Sequence, residues 1–372
     1  MSGPDLFLVF SDTPDRRAAL RGGPGTEAQQ YLLYGLHRFE HEGFGVDHNL
    51  VGEGPPAALV FRLIRRMNAV LHRCGAFGGD FPTIMRCRRQ INRSGLILST
   101  VDSVGFALVL MKKAGLIRPP VVYVSIGLPS RIARIRREKV RRWYRSVFLN
   151  VRRFIAYGWE EAELIRKWVS VRDNPPEVIF VPFGVDTDYF RPLPGVTPDA
   201  DVLSMGRDNQ RDFAALMPFA RQHPDVTVKI ITDRLHAEAL GSVPDNVRIV
   251  IDAPFSEVRR HLRGARVVAL PLKENPYSGA TTTLLQAMAL ARPVVVSRVG
   301  AIRNGYGLVD GLNCILVGPG DTKAFGKALQ DLLANPGKAS RLGVAARAHV
   351  ESELSWKQYE ERMMKTVAAA AL

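Results

Sequence analysis

The sequence predicts an α/β protein built of two doubly wound, Rossmann-like domains facing a cleft. Three observations carry that expectation: short apolar runs recur along the whole chain, helix-length amphipathic stretches separate them, and the alternation stops once and restarts. Runs that are apolar throughout, rather than alternating, suit strands buried on both faces of a parallel sheet. Strand, helix and strand repeated in this way imply a doubly wound sheet.

In the first half, strands are expected at residues 6–10, 96–99, 121–125, 154–157 and 178–181, with a helix over 26–42 after the first. The interruption is GVDTDYFRPLPGVTPDA at 184–200, rich in proline and lacking either hydrophobic period, so it reads as a linker. Strands then follow at 201–205, 226–231, 247–251, 267–270, 293–297 and 314–317, with helices over 209–222, 256–263 and 279–291. Residues 353–372 carry apolar positions at helical spacing. The expected organisation is an acceptor-binding domain over 1–183, the linker 184–200, a donor-binding domain over 201–352, and a last helix over 353–372 packing back toward the first domain.

Composition narrows the class. A chain of 372 residues suffices for two cores, and 46% hydrophobic with 23% charged residues excludes a disordered polymer. The formal charge is +15, of which residues 1–193 carry +11, pointing to an anionic partner on the first half. Cys74, Cys87 and Cys314 are scattered without a CxxC, so neither a disulfide framework nor a zinc site is indicated. The start MSGPDLFLVFSD has no signal-peptide pattern, and the apolar run 104–111 falls short of the ~20 residues a membrane span needs. A cytoplasmic protein is expected, one that lies on the inner face of a membrane without crossing it.

Three elements have the composition of phosphate-handling turns. Gly22, Gly23, Gly25 and Thr26, with Glu27 beside them, lie where glycine lets backbone N–H groups approach an anion at a helix start; the same turn also serves as an ordinary Thr cap. Gly206 and Arg207 leave the first strand of the second half, with Arg211 close behind, and two guanidiniums at a strand end grip a diphosphate through charge-assisted hydrogen bonds. Ser278, Gly279, Ala280, Thr281 and Thr282 open a helix whose free N–H groups and hydroxyls form an anion seat without a metal. Gln286, two turns in on the face of Ser278 and Thr282, is placed for a ribose hydroxyl.

The segments PFGVDTDYFRPL, SMGRDNQRDFAAL, VALPLKENPYSGATTTLLQAMALARPVVVSRVGAI, GLNCILVGPGD and ELSWKQYEERM together resemble the GT-B glycosyltransferases of the family-4-like group, glycosyl transferases group 1. The resemblance covers most of 154–372 and is thin before that. It implies a nucleotide-sugar donor site, with Arg207 and Arg211 on the donor diphosphate and no cofactor beyond the donor. It places Ser278 and Gln286 on the two glutamates of the family's E-x7-E motif. Gln286 retains a carbonyl acceptor, whereas Ser278 cannot do a carboxylate's work; Glu274 is a stand-in. The family's N-domain histidine is also absent from LSTVDSVG and YVSIGLPS. Retaining and inverting transfer therefore both stay open. An inverting transfer needs a general base, for which Asp102, at a strand end, and Glu27 are the candidates. Their alternatives are a helix cap and a first-turn acid.

Between Arg131 and Arg145 eight basic residues stand against Glu138, with apolar and aromatic residues interleaved. Arg134, Arg137, Arg141 and Trp143 are the expected contacts to an anionic membrane. No RNA- or DNA-binding pattern accompanies them, so nucleic acid is not an expected partner. The expected function is transfer of a sugar from a nucleoside-diphosphate donor to a hydroxyl of a lipid-linked or membrane-proximal glycan precursor. A non-catalytic subunit of the same fold, or a sugar-nucleotide epimerase, is the alternative.

Overall fold

The computed structural model describes residues 5–22, 30–50, 58–73, 76–171 and 173–371. The chain divides into two compact units, Met1–Val181 with Glu360–Leu372, and Pro182–Tyr359. Each holds one six-stranded parallel sheet.

The first sheet is built from β1 (Asp5–Val9), β2 (Gly45–His48), β3 (Leu96–Ser99), β4 (Val121–Ser125), β5 (Arg153–Ala156) and β6 (Glu177–Phe180), in the order β2-β1-β3-β4-β5-β6. The inner strands β3, β4 and β5 are buried at every position, which is why they read as continuous apolar runs. The sequence did not disclose β2. It is an edge strand of sequence GVDH, half exposed, and so has no apolar signature.

The second sheet comprises β7 (Ala200–Met205), β8 (Val228–Thr232), β9 (Val247–Ile251), β10 (Ala265–Leu270), β11 (Val294–Ser297) and β12 (Ile315–Val317), ordered β12-β11-β10-β7-β8-β9. After β7 the chain builds outward on one side through β8 and β9. It then returns to place β10 against the other side of β7. The strand order reverses there, and the loops after β7 and β10 meet at the carboxyl ends of the sheet, where such folds bind ligands.

Several helices differ from expectation. The glycine turn at 22–27 does not follow β1 directly, because helix Pro14–Gly22 intervenes. Residues 26–29 of the helix expected over 26–42 lie outside the described residues; the rest is a 3-10 turn, Gln30–Leu33, and a helix, Leu36–His41, with Tyr34 and Gly35 between them both at positive φ, where a helix cannot continue. The helix expected over 209–222 begins only at Met217, preceded by a loop and a 3-10 turn, with Pro218 at its start where its missing N–H is harmless.

At the end of the chain, helices Pro336–Glu353 and Trp356–Ala371 are separated by Leu354 and Ser355. Ser355 and Gln358 form a reciprocal cap: the Gln358 side chain accepts from the Ser355 N–H at 2.9 Å, and the Ser355 hydroxyl accepts from the Gln358 N–H at 3.4 Å. The last helix begins in the second unit and ends in the first, where buried Arg153 of β5 donates to the Thr366 carbonyl.

Candidate functional site

In the second unit, the chain leaves β7 through Gly206, whose N–H donates to Ile231 O and whose carbonyl accepts from the Thr232 hydroxyl. Gly206 has φ +153°, and a Cβ there would lie 2.1 Å from Nε and 2.4 Å from Cζ of Arg211. The arginine therefore folds back over a position that only glycine leaves open. Its Nε donates to Asp208 Oδ2 at 2.8 Å and its Nη2 to Thr283 Oγ1 at 3.4 Å. Its Nη1 is buried without a partner, in a side chain only 4% exposed. Burial lowers the Arg211 pKa and the Asp208 carboxylate opposes that shift, so the guanidinium keeps its charge. A buried cation with an unmet donor is a seat for an anion.

The loop after β10 completes this corner. Lys273 N–H donates to Gln210 O at 2.9 Å, the Gln210 amide donates to the Tyr277 hydroxyl at 2.7 Å, and the Ser278 hydroxyl donates to Asp208 Oδ1 at 3.3 Å. Asn275 Oδ1 accepts from the N–H groups of Tyr277 and Ser278, fixing the turn. Helix Thr281–Ala289 then starts from Ala280, at φ 53°, with no side-chain cap. Its first N–H groups are left for a ligand, next to the Thr283 hydroxyl that touches Arg211. Gln286 is 4% exposed, and among the described residues its amide has no hydrogen-bond partner. Gly279 is there for space, since a Cβ would lie 2.1 Å from Ile302 Cγ2.

The structure thus brings together Gly206, Arg211, Ser278, Gly279, Ala280, Thr281 and Thr282, and adds Asp208 and Thr283. It does not put Arg207 on the same partners. That side chain is 56% exposed, donates to Ala253 O at 3.0 Å and lies 3.8 Å from Asp252 Oδ1, in the loop after β9. Glu274, the stand-in for Ser278, is held elsewhere: its carboxylate accepts from Gly300 N–H at 2.8 Å and from Arg303 at 3.0 Å.

In the first unit, Asp102 opens helix Asp102–Lys113 but does not cap it; the cap position is Val101, without a side-chain bond. Nor is Asp102 an open base at a strand end. It is 3% exposed, and its Oδ1 accepts from the Tyr123 hydroxyl at 2.8 Å and from Ile126 N–H at 3.3 Å, with Arg131 Nε 3.5 Å from Oδ2. Tyr123 reaches it by crossing the helix at Gly105, where a Cβ would lie 2.5 Å from the ring. Burial raises the Asp102 pKa, and Arg131, Tyr123 and Ile126 partly offset this. Asp102 therefore anchors the loop after β4.

Glu161 anchors the same loop and was missed from sequence. Fully buried, it accepts from the Ser125 hydroxyl at 2.6 Å and Gly127 N–H at 2.7 Å, and burial, with the Asp102 charge adding, pushes its pKa up to about 8. The available signal was its place on the face of helix Trp159–Val169 that otherwise buries Ala162, Ile165 and Val169. Asn49, at the end of β2, was missed likewise; its amide pairs with both the N–H and the carbonyl of Phe10. Gly22 is the last residue of helix Pro14–Gly22, while Gly23, Gly25, Thr26 and Glu27 lie outside the described residues.

The basic stretch spans two helices, Leu128–Ala133 and Glu138–Phe148. Arg134 and Arg137 are exposed in the link, Arg141 pairs with Glu138, and Trp143 is partly covered, edge-on to Tyr144 at 5.0 Å. Among the described residues no helix is long and apolar enough to cross a membrane.

Residues 202–335 match the family model for glycosyl transferases group 1. That match lies within the second unit, which resembles a group 1 glycosyltransferase domain over those residues. The whole chain has the GT-B fold. It superposes on sucrose-phosphate synthase from Thermosynechococcus elongatus with a TM-score of 0.70 at 16% identity, covering 97% of this chain and 98% of that one. It superposes on Anabaena HepE, solved in complex with UDP-glucose, with a TM-score of 0.67 at 16% identity, covering 98% and 99%.

Similar sequences include the MMP alpha-(1->4)-mannosyltransferase of Mycolicibacterium hassiacum, 29% identical over 60% of this chain and 56% of that protein. A D-inositol 3-phosphate glycosyltransferase of Xylanimonas cellulosilytica is 31% identical over 58% of this chain and 56% of that protein. The chain spans little more than half the length of these relatives. The segment that matches the family model contains all of the corner around Arg211, from Gly206 to Gln286.

Proposed function

We propose that this chain is a glycosyltransferase that moves a sugar from a nucleoside-diphosphate donor to a hydroxyl of a lipid-linked or membrane-proximal acceptor, without a metal ion. The observation that carries the reading is the unpartnered Nη1 of buried Arg211 beside the uncapped start of helix Thr281–Ala289. An anion with several oxygens satisfies both, and a diphosphate is the leaving group of sugar transfer. In this reading Arg211 and the amides of Thr281–Thr283 bind the diphosphate and take up the charge that grows as the glycosidic bond breaks. The Thr281 and Thr282 hydroxyls add neutral donors, and Gln286 receives a ribose hydroxyl. The chain's similarity to a GDP-mannose-dependent mannosyltransferase over half its length, and its fold likeness to a protein solved with UDP-glucose, support a nucleotide-sugar donor.

The acceptor belongs to the first unit, whose basic surface suits an anionic acceptor or the membrane that carries one. Asp102 and Glu161 serve there by fixing the loop 125–131, and Ser278 contributes a neutral contact where a carboxylate is common in the family. The test is a thermal-shift panel with UDP, GDP and ADP, with and without Mg²⁺. A ligand at 100 times its Kd adds ~2.7 kcal/mol of stability. One diphosphate that raises Tm without Mg²⁺ is the expected result, followed by donor hydrolysis or transfer assays with the matching nucleotide sugars. Absence of any shift, or a shift only with Mg²⁺, contradicts the proposal as stated.

A further inference from the structure

A cavity of the first unit lies beside the loop held by Asp102 and Glu161 and shares Pro129 with it. It has a volume of about 300 Å³ and is walled by Pro129, Ile132 and Ala133 of helix Leu128–Ala133 and by Leu164, Ile165 and Trp168 of helix Trp159–Val169. These walls are apolar. The rim is not: Glu138, Arg141 and Arg145 of helix Glu138–Phe148 stand along it. Arg141 is paired with Glu138, but its Nε is buried without a hydrogen-bond partner. Arg145 makes no side-chain hydrogen bond or ion pair among the described residues, and its Nε is likewise buried and unmet. An apolar slot under two incompletely satisfied guanidiniums is complementary to a molecule with a hydrocarbon tail and an anionic head.

We infer that this cavity receives one acyl chain of an anionic membrane lipid, with Arg141 and Arg145 on the headgroup phosphate. The inference deepens the membrane-proximal reading above and rests on it. Three features select this occupant. The surrounding surface is strongly basic, with Arg131, Arg134, Arg137 and Arg142 exposed within one short stretch and Glu138 as its only acid. That charge favours an anionic bilayer over a neutral ligand. The six apolar walls suit a hydrocarbon chain better than a peptide backbone, whose polar groups their side chains cannot pair. Finally, Trp168 is fixed in place by contact with Phe148, ring centres 5.6 Å apart, so the wall is preformed. Membrane attachment in this arrangement depends on the slot as well as on surface charge.

The experiment measures binding of the full-length protein to vesicles of phosphatidylcholine alone, or with about a third phosphatidylglycerol whose acyl chains are brominated. Trp fluorescence is followed alongside co-sedimentation. The expected result is binding to the anionic vesicles, with quenching that is largely lost in Trp168→Phe. Ala133→Leu, which fills the slot, should bind more weakly and show less quenching. Arg141→Gln with Arg145→Gln should weaken binding about 25-fold, at about fivefold per basic residue near the surface. Binding with no quenching that depends on Trp168 overturns the inference in favour of surface charge alone, and no binding overturns it outright. A UDP or GDP thermal shift that persists in either case leaves the sugar-transfer reading standing, so the two failures are distinguishable.

Discussion

Replacing Gly206 with alanine would drive a methyl group into the Arg211 guanidinium. The new Cβ would sit 2.1 Å from Nε, 2.4 Å from Cζ and 2.5 Å from Nη2, against the ~3.5 Å at which nonbonded atoms rest, so the guanidinium must retreat by more than an ångström. Two costs follow. The left-hand side of φ space, at +153°, costs an L residue roughly 1–3 kcal/mol of stability. The displaced arginine takes with it one or two hydrogen bonds to a bound diphosphate, each worth about 1.5–3 kcal/mol when a charge is involved. Nucleoside-diphosphate affinity should therefore fall by about tenfold for one weak bond to about ten-thousandfold for two strong ones. Gly241→Ala separates the two costs. It too has a positive φ, +63°, in the same unit, but nothing lies within 4 Å of its Cβ, so it is strained without moving a ligand. Titration calorimetry with the nucleotide that gives the largest thermal shift would measure both variants. Equal affinity for the two would refute the assignment of Arg211 to the donor phosphate.

Further outcomes follow from the same contacts. The Glu161 pKa is raised from 4.5 to about 8, so the folded chain holds a proton that the unfolded chain releases, and stability falls as pH rises through that window. Glu161→Gln keeps the acceptor for Ser125 and Gly127 without the titration. Between pH of about 5 and 9, wild type should lose roughly 4 kcal/mol more than the variant in urea unfolding, and parallel pH profiles would exclude the buried proton. Gly105→Ala would press on the Tyr123 ring at 2.5 Å and on Ser99 Oγ at 2.7 Å; overpacking of this kind costs ~1–3 kcal/mol, read as a lower urea midpoint. Ser278→Glu, which supplies the carboxylate common in the family, would set a second acid beside Asp208 and oppose a bound phosphate. Binding should weaken several-fold, and an increase in affinity would show that Ser278 holds the sugar instead. Asn49→Ala would leave both polar groups of Phe10 unpaired in a buried setting and destabilise the chain by ~1–3 kcal/mol in the same urea assay.

Inner strands were legible because burial on both faces leaves an apolar run in the sequence, and β3 and β4 fall on the residues expected of them; edge strand β9, half exposed but rich in Val and Ile, does so too. Edge strand β2 left no such run, since one of its sides faces solvent. Helices were less legible. Positive φ at Tyr34 and Gly35 breaks a stretch that the periodicity reading joined, and the Ser355–Gln358 cap starts the last helix at Trp356 rather than at 353. In the second unit, the sequence singled out Gly206, Arg211 and the Ser-Gly-Ala-Thr-Thr turn, which the fold brings together. It treated Arg207 and Arg211 alike, because nothing local distinguishes two arginines four residues apart.

Strand positions, the alternation that makes two parallel sheets and the chemistry of the turns were thus written in the sequence, where each depends on neighbours a few residues away. Only the folded chain decided which of these groups act together. Arg211 meets Thr283 across 72 residues of chain, and Asp102 is covered by Tyr123 and Ile126 from the next strand. Burial and an unmet hydrogen bond are properties of such meetings. They arise where separate loops converge at the end of a sheet, and no stretch of sequence carries them alone.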